Sequence, residues 1–94
     1  MKLPVRMTEF AWSQFQALLP VQQQQARNLI RAIQLGAPGV GRPWHRDLRN
    51  RLHRIASAYD THVVYRVAYR RQGDELLISA VLVYETPSDP NSGT

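Results

Sequence analysis

Residues 52–84 read LHRIASAYDTHVVYRVAYRRQGDELLISAVLVY, and the rest of the chain has to serve this stretch. It divides into three apolar runs of strand length, LHRIASAY, HVVYRVAYR and LLISAVLVY, separated by polar breaks that carry turn residues. Such a pattern predicts an antiparallel meander. In the middle run Val63, Val64, Tyr65, Val67 and Tyr69 are β-branched or aromatic and suit a pleated, half-buried surface, while His62, Arg66 and Arg70 recur at even spacing. One face is therefore expected to be apolar and the other basic. Gln72-Gly73-Asp74 offers the positive φ of a tight hairpin, which makes the second and third runs antiparallel neighbours. The last run is apolar on both alternating sets, Leu77, Val81 and Val83 on one and Leu76, Ile78, Ala80 and Leu82 on the other. That predicts a strand covered on both sides or lying in a cleft, and something earlier in the chain must cover it.

Length and composition bound the answer. A chain of 94 residues makes one domain that buries roughly 60–70% of its unfolded surface, without help from a metal or disulfides. The absence of cysteine excludes a disulfide scaffold, a thiol nucleophile and every cysteine-based zinc site. No apolar run approaches the ~20 residues of a membrane span, and MKLPVRMTEF lacks the apolar centre of a signal peptide, so a soluble, cytoplasmic protein is expected. Twelve Lys plus Arg against seven Asp plus Glu leave a net charge of +5, and Lys2 is the sole lysine. A small basic domain favours anionic partners, and arginine's planar fork grips phosphate or carboxylate with two hydrogen bonds at once.

Before the meander, Leu3, Val5 and Met7 alternate in a short edge-strand pattern where Pro4 costs no ladder bond. Thr8 has the character of a helix N-cap, with Glu9 in the first turn. A first helix is predicted from about Glu9 to Leu18, its stripe formed by Ala11, Phe15, Leu18 and Leu19 with Phe10 beside them, and Trp12 at the margin. Pro20 starts a second helix, Val21 to Leu35, with Ala26, Leu29, Ile30 and Ile33 at the strongest helical period in the chain and the glutamines at 22–25 as its exposed first turns. Gly36 closes it, and the helical hairpin so formed would cover the sheet. Gly36 to Pro43 reads as a surface loop, and Trp44 to Arg54 as a basic helix or loop face with Trp44 packed beneath. Residues 86–94, TPSDPNSGT, contain no apolar residue and are expected to be disordered.

The order of strand, two helices, Gly/Pro loop and meander is joined to a local pattern. Leu48, Leu52, Arg54 and Ile55 lead through a hairpin to Val63, Val64, Tyr65, Arg66 and Val67, and then to LLISAVLVY. Over residues 3–85 this resembles the RelE/ParE superfamily of toxins from bacterial type II toxin–antitoxin pairs. The resemblance implies an α+β domain spanning residues 1–85, with an N-terminal strand and a helical hairpin packed on one face of an antiparallel three- to four-stranded sheet. It also implies a cognate antitoxin whose acidic or amphipathic segment wraps the hairpin and the basic face. In the RNA-cleaving branch of the family, basic residues and a Tyr, His or Glu on the sheet cut messenger RNA on the ribosome. Carried onto this chain, Arg54 falls where a first-strand Lys or Arg sits, Ala56 stands where a second base is common, His62 replaces an Arg, and Tyr84 and Glu85 end the last strand where Arg or His is usual. The branch that binds and inhibits DNA gyrase lacks the nuclease set, so it is the alternative these departures favour; an inactive binding module is a third reading.

Cutting RNA without a metal requires a base for the ribose 2′-hydroxyl, cations for the phosphate and an acid for the leaving oxygen. Strand alternation puts His62 and Arg66 on one face, and Arg54 on the neighbouring strand can point the same way. His62 or Glu85 would act as base, Arg54 and Arg66 would hold the phosphate, and Tyr84 would stack on a nucleobase or serve as acid. Each has a plainer reading: a strand-end His, solvated cross-strand arginines, a rim tyrosine and a terminal carboxylate. Arg46, Arg49, Arg51 and His53, with Arg70, are candidates to track a phosphate backbone, or else a solvated face. His45, Asp47 and His53 match no metal-ligand spacing, and neither metal nor cofactor is expected.

Overall fold

The computed structural model describes residues 2–86, so the expected disorder of 87–94 lies outside the described residues. Seven elements follow in order: β1 (Val5–Met7), α1 (Glu9–Gln16), α2 (Pro20–Gln34), β2 (Arg42–Arg46), β3 (Leu52–Asp60), β4 (Val63–Gln72) and β5 (Glu75–Glu85). The strands form one sheet in the order β1-β5-β4-β3-β2. The fold is α+β as expected, but the sheet has five strands and is mixed, because β1 runs parallel to β5 at one edge. β3, β4 and β5 are the expected antiparallel meander. The added strand is β2, which pairs antiparallel with β3 at the other edge. The Gly/Pro stretch therefore ends earlier than its composition suggests, and Pro43 is accommodated because an edge strand has one row of backbone groups without partners.

The helix boundaries lie within two residues of those read from the sequence. Thr8 caps α1 by accepting from the Ala11 amide at 3.1 Å. The glutamines at the start of α2 do more than face solvent: Gln22 accepts from the Leu19 amide at 3.0 Å, and Gln23 donates to the Phe15 carbonyl at the exposed end of α1. Ala11 and Phe15 of α1 and Ala26, Leu29, Ile30 and Ile33 of α2 are buried against Ala56, Tyr65, Val67, Tyr69, Leu76, Ile78 and Val81 of the sheet. Phe10 and Leu19, assigned to that stripe by spacing, are exposed instead.

The apolar content of β5 on both alternating sets has a different cause from the one expected. Tyr69 pairs with Ile78 and Ala68 pairs with Ala80, so Ser79 is an extra residue in a β-bulge. The bulge changes the alternation: Leu76 and Ile78 before it and Val81 and Val83 after it all face the helices. The strand buries one face, read in two phases. The Thr8 amide donates to the Ile78 carbonyl at 3.0 Å beside the bulge, which anchors the start of α1. Past the end of β1, the Val81 amide donates to Gln14 of α1 at 2.8 Å, so the helix takes over from the missing edge strand. Among the described residues no helix is long and apolar enough to cross a membrane.

Candidate nucleic-acid interface

The face of the sheet opposite the helices can be built row by row from the strand register. Tyr59, Val64 and Tyr84 align in one row, then Ser57, Arg66 and Leu82, then Arg42, Ile55, Ala68 and Ala80, with His45 and His53 paired further along. Arg70, opposite Leu77, belongs to the same face and donates to Gln72. Tyr59 is 71% exposed and Tyr84 42%, so two phenol rings flank one end of the surface. The Arg66 guanidinium lies 5.7 Å from the centre of the Tyr84 ring. This spacing permits a cation–π contact that steadies a cation without neutralising it.

Arg66 is set apart from the other arginines without an ion pair by one buried nitrogen. Among the described residues none of the three ion pairs, Arg6–Glu75, Arg51–Asp47 and His53–Asp47, includes it. Its Nε is also the one buried side-chain polar atom without a hydrogen-bond partner in that set. A buried donor left unpaired costs about 1–3 kcal/mol.

Of the five residues proposed as catalytic, the structure brings two together, Arg66 and Tyr84. Arg54 is opposite Tyr69, a core residue, and so lies on the helix side of the sheet; the expectation that it shares a face with Arg66 is corrected by the register. Two residues of the same unbulged strand separated by an odd number point to opposite faces, and Arg54 and Ser57, the partner of Arg66, are three apart. Glu85 is opposite Val63, which also packs against the core, so Glu85 belongs to the helix side as well. His62 is in the turn between β3 and β4 rather than in a strand, just after Thr61 at φ +54, and its carbonyl accepts from the Thr86 amide at 2.7 Å. That bond ties down Thr86, which the composition of the tail assigned to disorder.

The basic block forms the hairpin joining β2 to β3, neither a helix nor a cover over Trp44, which is 55% exposed. Asp47 organises it. One carboxylate oxygen accepts from the Arg49 and Arg51 amides at 2.8 and 3.0 Å, and the other from Arg51 Nε and His53 Nε2 at 2.8 and 2.9 Å. Because the carboxylate can only accept, His53 carries its proton on Nε2. The His45 ring stacks on that of His53, centres 4.6 Å apart, and Trp44 meets His45 edge-on. Arg51 and His53 are therefore committed to the turn, while Arg46, bonded to the Asn50 carbonyl, and Arg49 have no carboxylate partner among the described residues. Arg42 and Tyr59 share this open face and were not singled out from the sequence; for Tyr59 the signal was the two-residue spacing of Ile55, Ser57 and Tyr59, opposite in phase to Ala56 and Ala58, and for Arg42, in an exposed edge strand, there was none.

The hydrogen bonds from His53 and from the Arg51 amide hold the Asp47 carboxyl well below the usual carboxylate range. A carboxyl lowered in the folded state contributes stability that is complete above its unfolded pKa of ~3.9 and is lost as pH falls toward the lower folded value. Thermal melts of the parent and of Asp47→Asn from pH 7 to pH 2 should therefore converge in acid, with the parent higher at neutral pH. Parallel profiles would show that the turn draws nothing from the charge.

Comparison of the chain with family models, with curated proteins and with solved structures found no match in any of the three.

Proposed function

We propose that the chain is a RelE/ParE-like toxin of a type II toxin–antitoxin pair, a cytoplasmic protein that uses the open face of its sheet to bind messenger RNA on the ribosome and cleave it. The observation that carries this reading is Arg66: a central guanidinium with an unpaired Nε, no carboxylate partner among the described residues and Tyr84 beside it. Arg66 would hold the phosphate, Tyr84 and Tyr59 would stack on bases, and Arg42 and Arg70 would extend the contact along the backbone. His62 is the remaining base of the proposed set, since Glu85 is on the other side of the sheet, and Arg66 is left to hold the phosphate without Arg54, which is on that other side too. Exposed Phe10, Trp12, Leu19 and Val21 on the helical hairpin support an antitoxin segment that covers it.

The separation of Arg54 and Glu85 from Arg66 favours a second reading in which the same face binds without cutting, as in a toxin that inhibits DNA gyrase. Induced expression with primer-extension mapping of transcripts, beside a gyrase supercoiling assay, separates the two. The expected result is growth arrest with new transcript ends, reduced at least a hundredfold by Arg66→Ala and little changed by Arg54→Ala. Arrest with intact transcripts and lost supercoiling would establish the gyrase reading, and normal growth would refute both.

A further inference from the structure

On the helix side of the sheet, beyond the last turn of α2, a cleft of about 520 Å³ opens between residues 36–40 and the ends of β3, β4 and β5. Its volume is within the roughly 300–1,000 Å³ of small-molecule sites. Ile33, Val40, Leu52 and Leu76 give it an apolar interior. Arg51, Arg54 and Arg71 also line it, and among the described residues no carboxylate does. Arg51 is paired with Asp47, whereas Arg54 and Arg71 have no carboxylate partner among the described residues. The register makes those two diagonal neighbours on adjacent strands, since Arg54 is opposite Tyr69 and Arg71 lies two residues further along β4. Diagonal neighbours have side chains roughly 7–8 Å apart, close enough for two guanidiniums to share one oxyanion.

The cations are not needed to cap α2. The carbonyls of Arg31, Ala32 and Ile33 already accept from the amides of Leu35, Ala37 and Gly36. Tyr69 adds one neutral polar group: burial pushes its phenol above the ordinary value, against the pull of Arg54, so at neutral pH it offers an O–H donor. That hydroxyl has no hydrogen-bond partner among the described residues. An apolar cleft with two like charges at its lining is satisfied by a molecule with complementary parts.

We infer that this cleft binds a small amphipathic anion, an aromatic or branched aliphatic body carrying one phosphate or carboxylate, with Arg54 and Arg71 on the anionic group and the body against Ile33, Leu52 and Leu76. The site is on the opposite side of the sheet from Arg66 and does not depend on the toxin reading.

Calorimetric and amide-resonance titrations of the full chain with 1-naphthyl phosphate, 1-naphthoate, 1-naphthol and inorganic phosphate test it. The expected result is one saturable site for an aromatic anion, at least tenfold tighter than for 1-naphthol or inorganic phosphate, with shifts at Val40 and Leu52. The stronger of the two aromatic anions identifies the preferred charged group. Arg54→Gln and Arg71→Gln should each weaken binding about tenfold, and Arg70→Gln, on the other face, should leave it unchanged; resonance dispersion checks that each variant is folded. Equal binding of 1-naphthol, equal binding of inorganic phosphate, or insensitivity to both cleft variants would overturn the assignment.

Discussion

Replacing Ile78 by alanine should destabilise the protein by about 3–4 kcal/mol, in the middle of the range for removing a large aliphatic side chain from a close-packed interior. Ile78 is 0% exposed. It is held between Tyr69 of β4 and Met7 of β1, and its carbonyl receives the Thr8 amide that starts α1. Sheet edge, helix start and bulge therefore meet at one residue, whose backbone they fix, so the hole left by alanine cannot close without moving them. For a domain of this size each kcal/mol is worth about 4–8 °C, so the unfolding midpoint should fall by roughly 12–30 °C. Leu82→Ala is the control: Leu82 is in the same strand but faces outward and is 42% exposed, so its loss should cost no more than about 1 kcal/mol. Urea unfolding of both variants decides. Equal costs would mean that β5 does not change phase at Ser79.

That same bulge explains where the sequence was readable and where it was not. The helical stripe on α2 and the meander are local patterns, periods of 3.6 and 2 that survive without knowledge of the partner, and both could be read directly. The face assignment of β5 could not, because a single extra residue at Ser79 reverses the parity of everything after it and leaves an apparently two-sided strand. Arg54 illustrates a different limit. Its position in the motif was legible, but the direction of its side chain depends on pairing with Tyr69 rather than with a neighbour of opposite parity. β2 was hidden for a third reason: an exposed edge strand needs no apolar alternation, so RPWHR carries no periodic signal and takes its form from its pairing with β3.

Gly41 tests how the loop before β2 is fitted to this sheet. Its φ is +80, and a Cβ built there would fall on the Tyr69 hydroxyl and lie 3.0 Å from the ring carbon that bears it. Gly41→Ala should therefore meet two separate costs, about 1–2 kcal/mol for a side chain in the left-handed region and about 1–3 kcal/mol for pushing a buried ring from its place. Gly36→Ala isolates the first cost, because Gly36 has φ +65 with nothing within 4 Å of the added carbon. Tyr69→Phe isolates the second: it removes the hydroxyl that the new methyl would strike, at little cost of its own, since that hydroxyl has no protein partner among the described residues. In a denaturant-based double-mutant cycle, Gly41→Ala should cost at least 1 kcal/mol more than Gly36→Ala, and combining it with Tyr69→Phe should return about that difference. Tyr69 also lines the cleft that holds Arg54 and Arg71, so a ring displaced by the alanine has that space to move into. Gly41→Ala should then weaken 1-naphthyl phosphate binding, although the substitution changes no charge. Equal stabilities for the two alanine variants would show that Tyr69 does not abut Gly41 in solution.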